Sequence, residues 1–179
     1  MPSVTRAYIG LGANLGDRAG ALAAALADLS ALGAVRVVHV SPLYETEPLL
    51  PDDVAFPSGP PPWYLNQVAE VTTALDPHAL LAPLKDTETR LGRAPSRSPW
   101  SSREIDVDIL LYDDLVLDEP ELTLPHAGLT RRRFVLVPLA DLAPDLAVPG
   151  TGRSVADHLA GLQDSLRVLR YRARAPRPE

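Results

Sequence analysis

The sequence has no cysteine, only one lysine (Lys85) among its 17 basic residues, and no run approaching the roughly 20 apolar residues of a membrane-spanning helix. The first absence excludes disulfides and thiolate metal ligands and suits a reducing cytoplasm, where we expect the protein to reside. The apolar stretch in MPSVTRAYIGLG is too short for the core of an export signal. A Walker GxxxxGK[ST] loop is missing as well, so any ATP is bound without a P-loop lysine. So is an excess of positive charge. A net charge of -6 over 179 residues gives no field for wrapping nucleic acid, and an anion must be held locally. Neither a repeat nor a linker is visible, so residues 1–179 are expected to form one domain, with 170–179 a flexible tail. The arginine, alanine, leucine and proline content has a bias of the kind that GC-rich coding imposes irrespective of function.

Local patterns suggest the order of elements. AYIGLGANLGDR reads as a strand ending in a glycine turn, after which Asp17 caps a helix bearing Leu22, Leu26 and Leu29 on one face. The β-branched run AVRVVHVSPLYET predicts a second strand to about Tyr44. Residues 48–62 carry six prolines and no periodicity, which makes them a long loop of the kind that is often functional. YLNQVAEVTTAL predicts a third strand. Asp76 and Pro77 then open a helix with Leu80, Leu84 and Leu91 on one face, closed by Gly92 and kinked at Pro83. REIDVDILLY is a fourth strand, Asp113 and Asp114 make a turn, and LVL and LTL are short extended pieces. RFVLVPLADLAP adds apolar mass, and Ser154 caps a last helix. This order predicts an α+β, ferredoxin-like sandwich: a mainly antiparallel sheet with helices packed on one face.

Alternation along REIDVDILLY puts Ile105, Val107 and Ile109 into the core and Glu104, Asp106 and Asp108 on the opposite side. Adjacent carboxylates repel and need a cation. Two of them about 7 Å apart along a strand could hold two Mg²⁺ ions, with phosphate oxygens completing the shells. A lone DxD is also common on a solvated edge strand. Arginines surround this one: Arg90, Arg93, Arg97 and Arg103 precede it and Arg131, Arg132 and Arg133 follow, and guanidinium forks suit phosphate oxygens. The glycines at 10, 12 and 16 have the wrong spacing for a dinucleotide fingerprint. His126 is open to a structural or a phosphate-binding role. At this level the residues fit a phosphoryl-transfer enzyme, a two-metal nucleotidyltransferase or nuclease, or a non-catalytic ligand-binding domain.

The ordered set AYIGLGANLGDR, SPLYETEPL, YLNQV, SREIDVDILLY and LTLPH…RRRFVLVPL, spanning residues 5–146, resembles the 6-hydroxymethyl-7,8-dihydropterin pyrophosphokinase family. The resemblance implies a ferredoxin-like enzyme, acting as a monomer or as part of a fused enzyme and here expected as a monomer, that moves pyrophosphate from ATP to the pterin hydroxymethyl group in folate biosynthesis and releases AMP. It implies that Asp106 and Asp108 ligate two Mg²⁺ ions and are catalytic with Arg93 and Arg103. ATP contacts would come from Leu81, Glu88, Trp100, Ile109, Thr123, His126 and Arg132. Pterin contacts would come from Tyr64, Asn66 and Phe134, with Thr46 and Leu49 acting mainly through their backbone. The substrates are thus small molecules, and neither nucleic acid nor membrane is implied. Pro95, Ser101, Ser102 and Ala127 depart from the family pattern.

Overall fold

The computed structural model describes residues 4–49, 59, 61–92, 102 and 104–172. In chain order the elements are β1 (Thr5–Ala13), α1 (Arg18–Ala31), β2 (Val35–Val40), β3 (Tyr44–Thr46), β4 (Tyr64–Thr73), α2 (Pro77–Arg90) and β5 (Asp106–Tyr112). There follow β6 (Leu117–Asp118), β7 (Thr123–Leu124), α3 (Arg133–Leu142), β8 (Ala147–Val148), β9 (Arg153–Ser154), α4 (Val155–Gly161) and β10 (Val168–Arg170). Most of β1 is buried on both faces, which requires a layer on either side of the sheet.

The main sheet is antiparallel, ordered β10-β3-β4-β1-β5, with β2 also pairing β4. The unit β1-α1-β2-β4-α2-β5 has the ferredoxin-like βαββαβ order. One face buries Ile9, Leu11, Val107 and Ile109 against Leu22 and Leu29 of α1 and Leu80 and Leu84 of α2. The other buries Tyr8, Val68 and Leu110 against Leu136 and Leu139 of α3, with Val155 of α4 behind them. Helices therefore cover both faces rather than one. RFVLVPLADL forms the helix α3, which the sequence shows only as apolar mass.

The caps fall where expected. Asp17 accepts from the Gly20 amide, Asp76 accepts from that of Ala79, and Ser154 and Asp157 form a reciprocal capping box. Helix α2 runs unbroken through Pro83.

Two expectations about strands need correction. The segment 35–44 is two strands, because Pro42 has no amide to donate; Ser41 still pairs with Val68, and the chain then jogs before β3 resumes against β4. Gly10 and Gly12 lie within β1 rather than in a turn, and the turn comes later, at Gly16, with φ +60°.

The expected tail also begins too early. Arg170 pairs with Tyr44, and the Tyr171 amide donates to Leu43, whereas residues 173–179 lie outside the described residues. No helix among the described residues is long and apolar enough to cross a membrane.

Candidate active site

Strand register lays out the floor of the site. One row across the sheet reads Tyr44, Asn66, Gly12, Asp106, and the next reads Val68, Gly10, Asp108. Paired residues project to the same face, so the aspartates stand on the side away from α1 and α2 while Ile105, Val107 and Ile109 are buried. Because the residues between them and β4 are glycines, no side chain separates Asn66 from Asp106. This is why β1 accepts two strand-weakening residues: they keep the floor open.

Strand β5 is at the edge of the sheet, and α2 closes that edge with side chains. Glu88 Oε1 accepts from the Val107 amide at 2.7 Å, and Lys85 Nζ donates to the Val107 carbonyl at 3.3 Å. Lys85 also reaches the Glu88 carboxylate at 3.2 Å and Asp108 Oδ1 at 3.4 Å. Burial pushes the Glu88 carboxyl pKa up and nearby Asp106 adds to this, while Lys85 and the Val107 amide pull it back. Glu88, Asp106 and Asp108 each offer an oxygen, and these lie within 4.8 Å of one another. That is an all-oxygen donor set of the kind hard divalent cations take. Glu104, expected on the same face, precedes β5 and is not in this trio; its Cγ lies beside Gly92 at the end of α2.

The walls rise from β3, β4 and the approach to α3. Asn66, almost wholly buried, donates from Nδ2 to Thr46 Oγ1 at 2.7 Å, which fixes the orientation of its amide. The Thr46 side chain is thus the partner that orients Asn66. His126 Nδ1 accepts from the Gly128 amide at 3.1 Å, leaving Nε2 to carry the proton of the neutral ring. Burial holds that ring below the ordinary histidine pKa, against an opposing pull from Asp108. The Arg132 guanidinium packs against Gly128, in space a Cβ there would need, and lies 5.8 Å from the Phe134 ring centroid.

These groups enclose a cleft of about 560 Å³, lined by Thr46, Leu49, Tyr64, Asn66, Asp106, Asp108, His126, Arg132 and Phe134 among others. A second cavity of about 260 Å³ shares Asp108 and His126 and adds Leu81, Ile109 and Thr123. The residues expected at the pterin thus share one cleft with the acids, and those expected at the adenine line its neighbour. Arg93, Trp100 and Arg103 lie outside the described residues. The sequence did not single out Lys85, Gly10 or Gly12 for the site. Lys85 being the only lysine, three residues before Glu88, was the signal available.

Comparison with known proteins agrees. Residues 8–144 match the family model of 7,8-dihydro-6-hydroxymethylpterin-pyrophosphokinase. The 2-amino-4-hydroxy-6-hydroxymethyldihydropteridine pyrophosphokinase of Methylorubrum extorquens is 41% identical over 162 residues, covering 90% of this chain and 96% of the relative. The enzyme of that name from Pseudomonas aeruginosa is 41% identical over 157 residues, covering 88% and 91%. The crystal structure of wild-type Plasmodium falciparum HPPK-DHPS with pteroate shares the fold, with a TM-score of 0.69 at 15% identity over 88% of this chain and 44% of that one. The chain belongs to the 7,8-dihydro-6-hydroxymethylpterin-pyrophosphokinase family.

Proposed function

We propose that this chain transfers the terminal diphosphate of ATP to the hydroxymethyl group of 6-hydroxymethyl-7,8-dihydropterin in folate biosynthesis, giving the pterin diphosphate and AMP. The observation that carries this is the floor of the cleft, where Asn66 and the Asp106–Asp108 pair face the same space across two glycines. One end suits the hydrogen-bonding edge of a flat heterocycle and the other suits a cation-bound polyphosphate.

In the reaction the pterin hydroxyl oxygen bonds to the β-phosphorus, the bond from that phosphorus to the α,β-bridging oxygen breaks, and AMP leaves with the electron pair. The hydroxyl proton passes to solvent. Transfers of this kind depend on positioning and charge neutralisation, for which the cleft supplies the groups. Asn66, oriented by Thr46, holds the pterin edge while Phe134 stacks on the ring and Tyr64 borders it. Leu49 closes the same wall. Asp106 and Asp108, with Glu88 beside them, would hold Mg²⁺, whose role when bound is to neutralise the triphosphate and polarise its oxygens. Arg132 and the neutral His126 donate to phosphate oxygens, with Arg93, Arg103 and Trp100 proposed as further ATP contacts. Leu81, Ile109 and Thr123 border the adenine. A cytoplasmic monomer is the proposed state, supported by described residues of one chain bringing the pterin-side and acidic groups into one cleft.

The test is to incubate the protein with ATP, Mg²⁺ and the reduced pterin alcohol and separate the nucleotides. AMP that forms only when all three are present is the expected result. ADP as product, or AMP formed without the pterin, contradicts the assignment.

A further inference from the structure

Beyond residue 144, where the family match ends, the chain returns to the cleft and touches both of its walls. Asp164 reaches one wall. Its Oδ2 accepts from the Arg133 amide at 2.9 Å and its Oδ1 from the Leu166 amide at 2.9 Å. Arg133 opens α3 between Arg132 and Phe134, and the N-cap position of that helix, Arg132, offers no side-chain cap of its own. A carboxylate from 31 residues further along therefore does the work of a cap, satisfying a first-turn amide that would otherwise lack a partner within the helix.

Arg167 reaches the other wall. Its carbonyl accepts from the Glu47 amide at 3.0 Å, and its own amide donates to Glu47 Oε2 at 2.8 Å. Its guanidinium donates to Glu47 Oε1 through Nε at 2.8 Å and Nη2 at 2.6 Å, and lies 4.7 Å from the Trp63 ring centroid. Glu47 follows Thr46 and Trp63 precedes Tyr64, so one side chain joins the two neighbours of the proposed pterin contacts. The next residues extend the attachment, because Val168 pairs with Thr46 in the β10–β3 ladder. An exposed ion pair alone contributes little. Here backbone bonds in both directions and a ring contact hold it in one geometry, and Arg167 neutralises a carboxylate that lines the cleft.

We propose that Asp164–Arg170 is a strap that holds the two walls of the pterin cleft at a fixed separation, with Arg167 and Asp164 as positioning residues for the reduced pterin. This rests on the pyrophosphokinase assignment above. The strap attaches at Glu47, Trp63 and the start of α3, none of which lines the cavity assigned to adenine, so its loss falls on the pterin first.

The test compares steady-state constants for both substrates in wild type, Arg167→Ala, Arg167→Lys and Asp164→Ala. Arg167→Ala is expected to raise the pterin KM about five- to tenfold while the ATP KM and kcat stay within about twofold. Arg167→Lys recovers only part of this, because an ammonium cannot reproduce the fork and the ring stacking. Asp164→Ala also raises the pterin KM, with a smaller rise for ATP through Arg132. In a Trp100→Phe background used for fluorescence alone, Arg167→Ala shifts Trp63 emission without ligand.

A pterin KM within twofold of wild type in both alanine variants overturns the strap. So does an equal rise in both KM values accompanied by a lower unfolding midpoint, which marks general loosening. Wild-type protein that makes no AMP overturns the pyrophosphokinase assignment instead, and with it the substrate named for the strap.

Discussion

A single methyl group at residue 12 tests how the floor is built. A Cβ on Gly12 would stand 2.6 Å from Asn66 Oδ1 and 3.9 Å from the Leu65 carbonyl oxygen. The first distance is impossible and the second is ordinary, so the strand stays and the Asn66 amide must turn. Turning it breaks the bond to Thr46, a residue only 1% exposed, and leaves that hydroxyl without its donor. The loss costs about 1–3 kcal/mol. Replacing a strand glycine returns roughly 0.5–1 kcal/mol. The net for Gly12→Ala is therefore a destabilisation of about 0–2.5 kcal/mol, centred near 1 kcal/mol and read as a lower midpoint in urea. Pterin binding suffers more than stability suggests, because the turned amide no longer faces the ring edge; a lost hydrogen bond of 1–2 kcal/mol weakens affinity by roughly 5- to 30-fold. Gly10→Ala is the comparison: its nearest neighbours are the ends of the Leu110 side chain at 3.1 and 3.2 Å, which can give way, so Asn66 is spared. Calorimetry of pterin binding to both variants, beside denaturant unfolding, decides. Gly12→Ala protein that binds pterin as wild type does, with unchanged stability, refutes the reasoning.

Other perturbations separate charge from packing. Asp106→Ala and Asp108→Ala are each expected to lower kcat by about 10³-fold or more while the fold is kept, since each thins a cluster of three carboxylates even though Asp108→Ala also gives up the contact with Lys85; initial-rate assays and thermal melts check both. Lys85→Met removes a cation from beside the buried Glu88 and is expected to destabilise by about 1–2 kcal/mol, below the usual cost of breaking a buried pair because Lys85 is 43% exposed; urea unfolding reads it. Tyr44 donates to Asp141 at 2.5 Å, and burial, with that aspartate, pushes its phenol from the usual value near 10 up to about 12. Between those values the unfolded chain ionises while the folded protein keeps its proton, so stability falls as pH rises from 10 to 12. Tyr44→Phe is expected to flatten that part of the profile, as measured by urea midpoints at pH 9 and pH 11.

What could be read in the sequence was local. Alternation in DVDILLY located the acids and their face, and Asp17, Asp76 and Ser154 announced their helices because a cap needs only a few neighbouring residues. What escaped was set by partners distant in the chain. Gly10 and Gly12 have the composition of a turn, and only the pairing with β4 and β5 shows them as a floor kept clear. Pro42 split a run that β-propensity alone would continue, since propensity does not register a missing donor. Helix α3 contains Pro138, which obscures its period, and its covering of the second sheet face depends on tertiary packing. The family resemblance named Glu88 as an ATP contact, but its place beside Val107 and the two aspartates appears only once α2 is laid along the open edge of β5. The pairing of Val168 with Thr46 joins residues far apart in the chain, and no local pattern signals it.

Under the proposed function, Asp106 and Asp108 bind divalent ions beneath a triphosphate whose β-phosphorus faces the pterin pocket. Crystals soaked with Mn²⁺ and a non-hydrolysable ATP analogue test it most directly, through the anomalous signal of the metal. The expected result is two Mn²⁺ peaks in contact with Asp106 and Asp108, the phosphates bridging them, and the β-phosphorus toward Asn66 and Phe134. A nucleotide bound elsewhere, or ordered phosphates in the cleft with no metal at either aspartate, contradicts it.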